Sequence, residues 1–471
     1  MKSSGADFPA TSEVAPSQSR SIDSEQSSRF VAAVFEAWQR ATIPFLVLRN
    51  YEHLPGFTSN DIDVLVHPSD RHRAERLLLE TAGTHGFRRH NRAEFATLAN
   101  YFCSSKSTLQ IHFDLFVDLK WRSFDFLECK DFLPNRISRG CFAIPHPAHE
   151  TATNLLATMI YDGTIKGKYK PSIAGGFRDH PAMAKDLLGR TYGAELADSV
   201  VQAGTAARWD ELQSLTPLLR RSLICRQLFR RPIITFRSGV ANTFRLARRW
   251  FAPPGVSIVL CGADGSGKST AAKALIESLS TTFPPAKGRQ FHWKPPVFSA
   301  IRMAARRPTT DPHAQPPRSL LPSLLYFVVH WLEFFLGSFL RIMPATFKGG
   351  LVLIDRWYYD FFVDQRRYRL RVPLALVRFG YFFLKKPDLV LLLDAPPEIL
   401  QQRKQEVPLL ETQRQREAYL SLIRSLPQGR IINAGAAPEA VGREMTETVL
   451  AFMTERMDQR ARSESSHQAR S

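Results

Sequence analysis

The chain has 471 residues, of which 44% are hydrophobic and 23% charged, proportions that place it among globular proteins and exclude a wholly disordered or collagenous chain. A formal net charge of +19 favours polyanionic company: nucleotides, nucleic acid or an acidic membrane surface. The cysteines Cys103, Cys129, Cys141, Cys225 and Cys261 are scattered without a CxxC pair, which excludes a zinc ribbon and reads as reduced thiols in a cytosolic protein.

Residues 1–28 are rich in Ser, Ala and acidic groups with no apolar core behind a positive start, so they read as a disordered tail without a secretory signal. Residues 29–217 read as an α/β domain. Its segment NDIDVLV at 60–66 is a strand pattern in which Asp61 and Asp63 project from one face. A later strand pattern, 109–116, carries Asp114 between Phe113 and Leu115. Two carboxylates on one strand and a third on a neighbour can hold divalent ions in the arrangement that nucleotidyl transfer uses. Lys166, Lys168 and Lys170 are either phosphate contacts or a surface coat.

Between residues 218 and 252 stand Arg220, Arg221, Arg226, Arg230, Arg231, Arg237, Arg245, Arg248 and Arg249, interleaved with Leu, Ile, Phe and Trp. Pro253, Pro254 and Gly255 then break the pattern. This is expected to be a basic, partly helical connector. A packed interdomain helix with a solvated basic face is favoured over a helix lying on an anionic membrane.

Residues 253–455 alternate short apolar runs with helical patterns, the signature of an α/β domain with a buried parallel sheet. Residues 256–261 form the first run, and Gly262 to Thr270 read GADGSGKST before a helix. Gly262, Gly265 and Gly267 allow backbone N–H groups to face phosphate oxygens, with Ser266 beside them and the helix dipole behind. Lys268 reaches the β- and γ-phosphates, Ser269 is placed to ligate Mg²⁺, and Thr270 completes the P-loop spelling. Further strands are expected at 351–354, 389–393 and 430–432, with helices at 397–405 and 409–423.

Residues 320–343 approach the length and apolarity of a membrane span. Ser323, Tyr326, His330, Glu333, Gly337 and Arg341 recur every three or four residues, however, so they line one face of a helix. A helix buried in the domain, its polar stripe aimed into a cleft, is the favoured reading.

Asp355-Arg356 follows the run LVLI, where a carboxylate can hold Mg²⁺ and a guanidinium can grip a phosphate. Asp394 ends the next run, and Arg403, Arg414 and Arg416 beyond it are candidates for a closing lid. Asn433-Ala434 opens a loop suited to an adenine ring. The last residues, 456–471, are read as a second disordered tail.

GADGSGKST, Asp355-Arg356 and PDLVLLLDAPPEILQQRK together resemble the thymidylate kinase family of P-loop nucleoside monophosphate kinases. The resemblance implies ATP and Mg²⁺ as cofactors, Asp264 facing the acceptor, Arg356 on the acceptor or transferred phosphate, and a lid near Arg403. Where that family carries a Ser-Ala-Tyr-Gln type of segment to hold thymine, this chain has DRWYYDFFVDQRRYR, similar to a variant associated with bacterial polysaccharide gene clusters. The acceptor expected is therefore a phosphate-bearing molecule, most simply a nucleoside monophosphate, with thymidylate itself open.

The N-terminal half resembles a nucleotidyltransferase-fold domain with Arg49-Asn50 in place of the usual Gly-Ser turn. Two alternatives stand beside the kinase: a metal-dependent nucleotidyltransferase with a regulatory P-loop domain, and a membrane-face factor in polysaccharide biosynthesis. The expected location is cytoplasmic and the expected partner a nucleotide, with no nucleic acid. A homodimer and a peripheral contact with the anionic inner membrane face stay open.

Overall fold

Phe45, Val47, Val64 and Val66 alternate with Leu46, Leu48 and Leu65, and in the computed structural model the two sets enter separate cores on opposite faces of one sheet. The structure describes residues 19–56, 61–95, 97–297, 318–404 and 408–468. It divides into two compact units, Ala15–Arg248 and Arg249–Ser471.

In the first unit the strands β1 (Phe45–Val47), β2 (Ile62–Val66), β3 (Phe87–Glu94), β4 (Leu98–Ser104) and β5 (Gln110–Phe116) form a mixed sheet of order β1-β2-β5-β4-β3. Only β2 and β5 run parallel, in a register that sets Asp63 beside Asp114. Helices α1 (Ser19–Arg40) and α2 (Arg71–Thr84) contribute Phe30, Phe35, Trp38, Ala74 and Leu78 to the core on one face. On the other face a helical layer, beginning with α3 (Pro147–Asp162), contributes Leu155, Met159, Phe177 and Leu188.

Two sequence expectations change in this unit. The tail ending at residue 28 is too long, because α1 is already helical from Ser19 and Ser27 is buried. The connector starting at residue 218 begins too early. Helix α4 (Thr216–Arg230) inserts Leu219 and Leu223 into the core, and Arg220 donates to the Ile160 carbonyl at 2.8 Å. Arg221 lies on the opposite side of the same helix from these leucines and Arg220 flanks them, so the run of arginines hid the apolar face. Only α5 (Pro232–Phe251) is mostly surface, with Thr235 its buried residue.

The second unit is an all-parallel sheet. Its strands β6 (Val256–Cys261), β7 (Arg289–His292), β8 (Leu351–Asp355), β9 (Leu389–Asp394) and β10 (Gly429–Asn433) stand in the order β7-β8-β6-β9-β10. Strand β7 is the one the sequence did not reveal: RQFH is a sheet-edge segment with only Phe291 buried. Ser257 clamps the start of β9, since its backbone N–H and hydroxyl both donate to Asp388 at 2.7 Å. Helix α6 (Lys268–Ser278) follows β6.

Helix α7 (Leu320–Gly337) begins a helical stretch, Leu320–Phe347, long and apolar enough to cross a membrane. Its buried side is the polar stripe: Ser323, His330, Glu333 and Gly337 turn inward. Phe327 and Phe334 are buried on the same side while Leu321 and Leu325 are exposed, so the expectation of a buried helix holds for one face alone. Helix α8 (Leu374–Phe382) also shows apolar side chains outward, with Phe379 and Phe382 exposed. Beyond β9 come α9 (Pro397–Arg403) and α10 (Leu409–Arg424), and the chain closes with α11 (Pro438–Gln468). The tail placed at 456–471 is thus helical as far as Gln468, anchored by Arg456, which donates to the Gly255 carbonyl at 3.2 Å.

Phe30 tests the revised N-terminal boundary. It stacks on Phe87 with ring centroids 4.6 Å apart and meets Phe113 edge-on. Replacing Phe30 with Ala should lower unfolding free energy by about 3–5 kcal/mol, read by denaturant titration. A loss near zero would return residues 19–30 to a tail.

Candidate active site

The parallel register of the second unit brings one end of each strand to a common edge. Leu260 pairs with Asp355, His292 with Asp355, and Asp394 with Asn433. Ligands of open α/β sheets bind beyond the carboxyl ends of the strands, and the P-loop leaves β6 at that edge.

The loop is shaped by glycine where other residues do not fit. Gly262 has φ +146, and a Cβ there would lie 2.7 Å from the Leu393 carbonyl oxygen. Gly265 has φ +82, and its Cβ would meet the Leu400 carbonyl oxygen at 2.6 Å. Lys268, at the first turn of α6, folds back over the loop and donates to the carbonyls of Gly262 at 3.0 Å and Ala263 at 2.9 Å. Ser266 Oγ lies 3.4 Å from the same ammonium. Burial and, next, the positive Arg356 lower the Lys268 pKa, against the pull of Asp355, Asp264 and Asp360. Ser269 and Thr270 are exposed on the first turn of α6.

Asp355 offers one engaged oxygen and one idle one. Its Oδ2 lies 3.1 Å from His292 Nδ1, whereas Oδ1 is buried without a hydrogen-bond partner among the described residues. Burial alone would raise its pKa, but His292, Lys268 and Arg356 outweigh it and hold the carboxyl below its usual value. An ionised carboxylate with an unclaimed oxygen suits a hard divalent cation, so the residues present fit Mg²⁺.

Arg356 has φ +67, a left-handed conformation that turns its side chain back toward the P-loop. It is 7% exposed and pairs with Asp264 of the loop through Nη2. Arg367 Nη1 takes the other oxygen of Asp264 at 2.8 Å. Behind Arg356 lies Asp360, fully buried, which accepts from the Tyr368 and Tyr419 hydroxyls at 2.8 Å each. Burial disfavours the Arg356 charge, but Asp360, Tyr419 and Asp264 hold its pKa above the usual value. Burial and then Asp360 keep both tyrosines protonated.

Trp357, Tyr358 and Tyr359 go into the core, at 1%, 0% and 0% exposure, so they do not face a ligand. A separate aromatic cluster lies beside the Arg356 network. Trp293 stacks on Tyr368 at 4.6 Å and lies 5.0 Å from His330, which stacks on Tyr326 at 3.8 Å. Arg367, Asp360, Tyr368, His292 and Trp293 were not singled out from sequence. The signal available was the polar set Asp360, Asp364, Arg366 and Arg367 within a buried aromatic run, since buried charge is retained only where it is paired.

The lid arginines occupy separate contacts. Arg403 donates to the Ala434 carbonyl at 2.8 Å, Arg414 to the Val363 carbonyl at 3.1 Å, and Arg416 grips Asp394 at 2.7 and 2.8 Å. Residues 405–407 of the expected lid lie outside the described residues. Asn433 Oδ1 accepts from the Gly435 N–H at 3.1 Å and shapes the loop after β10.

A second polar cluster stands in the first unit. One carboxylate oxygen from each of Asp61, Asp63 and Asp114 lies within 4.8 Å of the others. Asp63 is 1% exposed; its Oδ2 accepts from Arg49 Nε, and its Oδ1 has no partner among the described residues. Burial first, then Asp61 and Asp114, push the Asp63 pKa up to about 7 against the pull of Arg49. Thr97 Oγ1 donates to Asp114 at 2.9 Å. Asn50, with φ +56, turns the chain after Arg49.

No protein-family model matches the chain. It is 30% identical over 198 residues to a probable thymidylate kinase of Pyrococcus horikoshii, covering 92% of that protein and 40% of this chain. It is 29% identical over 215 residues to a thymidylate kinase of Xanthomonas campestris, covering 87% of that protein and 44% of this chain. A solved thymidylate kinase of Ehrlichia chaffeensis aligns over 98% of its length and 41% of this chain, with 16% identity and a TM-score of 0.31.

Proposed function

The chain belongs to the thymidylate kinase family, and from that premise we propose that it transfers the γ-phosphoryl group of ATP to a nucleoside monophosphate at the carboxyl edge of β6 and β8. The observation that carries this reading is the convergence there of the Lys268 ammonium, the unclaimed Asp355 oxygen and the Arg356 guanidinium. The polyphosphate of ATP lies against the P-loop N–H groups and the N-terminus of α6. Lys268 then exchanges the Gly262 and Ala263 carbonyls for phosphate oxygens.

Ser269 and Asp355 would hold Mg²⁺, which would supply charge neutralisation on the β- and γ-phosphates. The acceptor phosphate takes Arg356 and Arg367 from Asp264, and one of its oxygens attacks the γ-phosphorus as ADP leaves. Catalysis is thereby positioning and charge stabilisation. Trp293 stacked on Tyr368, with His330 tilted beside it, favours an acceptor with an aromatic base over a sugar phosphate. Because the residues after Arg356, WYYDFFVDQRRYR, stand where the family carries its Ser-Ala-Tyr-Gln type of segment, we leave the base open among dTMP, UMP, CMP and purine counterparts. A role in polysaccharide assembly rests on the resemblance of that segment alone.

ADP release from ATP with a panel of nucleoside monophosphates tests this. One or more should be phosphorylated, with kcat falling about 100- to 1,000-fold in Lys268→Ala. Arg367→Ala should raise KM for the acceptor and leave KM for ATP nearly unchanged. No Lys268-dependent transfer to any monophosphate would sink the kinase reading.

For the N-terminal unit the buried, partnerless Asp63 oxygen within the carboxylate cluster favours a second reading, a divalent-cation site serving nucleotidyl transfer. Manganese binding to the full chain, followed by electron paramagnetic resonance, should weaken about tenfold or more in Asp63→Asn while Lys268-dependent kinase activity persists. Equal affinity in the variant would remove the site.

A further inference from the structure

Helix α5 turns the wrong side outward for a helix packed on its own protein. At 100° per residue, Ile233, Phe236, Val240 and Phe244 fall within an arc of about 80°. They are 73%, 73%, 39% and 73% exposed. The opposite side, at Thr235 and Asn242, is the one that is buried or half-buried. Arg245 shares that inner side, where burial lowers its pKa against the pull of Glu94. The end of α4 adds Phe229, 88% exposed. An apolar stripe of this size left in water is costly, and surface helices ordinarily bury it.

Charge identifies what covers the stripe. From residue 212 to residue 263 the chain has nine arginines and no Asp or Glu. Arg237 and Arg248, both exposed, stand about 40° and 60° round the helix from Ile233 and border the stripe. A second copy laid against the same face would bring arginine borders together with no carboxylate on the helix to offset them. A nucleic acid would meet the arginines and leave the phenylalanines in water. An anionic bilayer takes both, the aromatic and aliphatic side chains at the acyl boundary and the guanidiniums among lipid phosphates.

We propose that α5, with the adjoining end of α4, is a docking surface for an anionic lipid bilayer, which makes the chain a peripheral membrane protein. A solvated basic face was expected on this stretch; the exposed face is apolar with a basic border.

The test is co-sedimentation of the full chain with vesicles of phosphatidylglycerol and phosphatidylcholine, against pure phosphatidylcholine, at low and high salt. Pelleting is expected with the anionic vesicles at low salt, and weakened by high salt. The double variants Phe236→Ser/Phe244→Ser and Arg237→Gln/Arg248→Gln should each reduce partitioning about tenfold or more, with thermal unfolding and phosphoryl transfer unchanged. Absence of pelleting, or equal pelleting of the correctly folded double variants, would overturn the proposal. So would a dimer in sedimentation velocity that Phe236→Ser/Phe244→Ser dissolves, because the stripe would then belong to a second copy.

Discussion

The register of parallel strands is the constraint on which the kinase unit depends. Because Leu260 pairs with Asp355 and Cys261 with Leu392, the chain must leave β6, β8 and β9 at the same level. That level places the P-loop, the Asp355-Arg356 pair and Asp394 along one edge, with α6 directing its dipole toward it. A slip of one residue in β8 would turn Asp355 to the other face of the sheet and separate it from Lys268. The burial of Val259, Cys261, Val352, Ile354, Val390 and Leu392 in one core holds that register.

On this edge sits a chain of charges that water does not reach well: Asp264, Arg356 and Asp360, with Arg367 at one end and the Tyr368 and Tyr419 hydroxyls at the other. Burying ions is costly unless each is paired and hydrogen-bonded, and a buried pair is weak evidence for stability. Its value lies in position. Asp360 and its tyrosines hold the Arg356 side chain where its left-handed backbone sends it, and Asp264 neutralises two guanidiniums. Lys268 is held in the same way, by loop carbonyls. The cations of this edge are thus each held by a carboxylate or by loop carbonyls, and the proposed reaction would have them exchange those partners for phosphate.

Much of this was legible in sequence because it is written locally. Glycine at 262, 265 and 267 reports backbone shape, and runs such as LVLI and LVLLLD report buried strands that the structure extends by a residue or so. What was not legible needed distance. Arg367 meets Asp264 across 103 positions, and Asp360 meets Tyr419 across 59. The aromatic run after Arg356 stands where the family holds its base, yet Trp357, Tyr358 and Tyr359 go into the core of the unit. In the first unit the i, i+2 spacing of Asp61 and Asp63 was legible, with Asp61 just ahead of β2, while the parallel register with β5 brings in Asp114. Arg49 on Asp63 was not, because that contact depends on how the chain turns at Asn50.

The same limit explains the helices. Periodicity located the polar stripe of α7 and the arginines of α5, but it could not say which side the rest of the protein covers. In both, a row of apolar side chains is left outside, although α7 also buries Phe327 and Phe334. The central claim, that a nucleotide and a phosphate-bearing acceptor meet between Lys268 and Arg356, is tested most directly by calorimetric titration with adenosine joined to a nucleoside through a pentaphosphate. The two-headed ligand should bind at least about tenfold more tightly than ATP or the monophosphate alone, and Arg356→Lys should abolish that gain. Binding no tighter than ATP, or a gain that survives in Arg356→Lys, would contradict it.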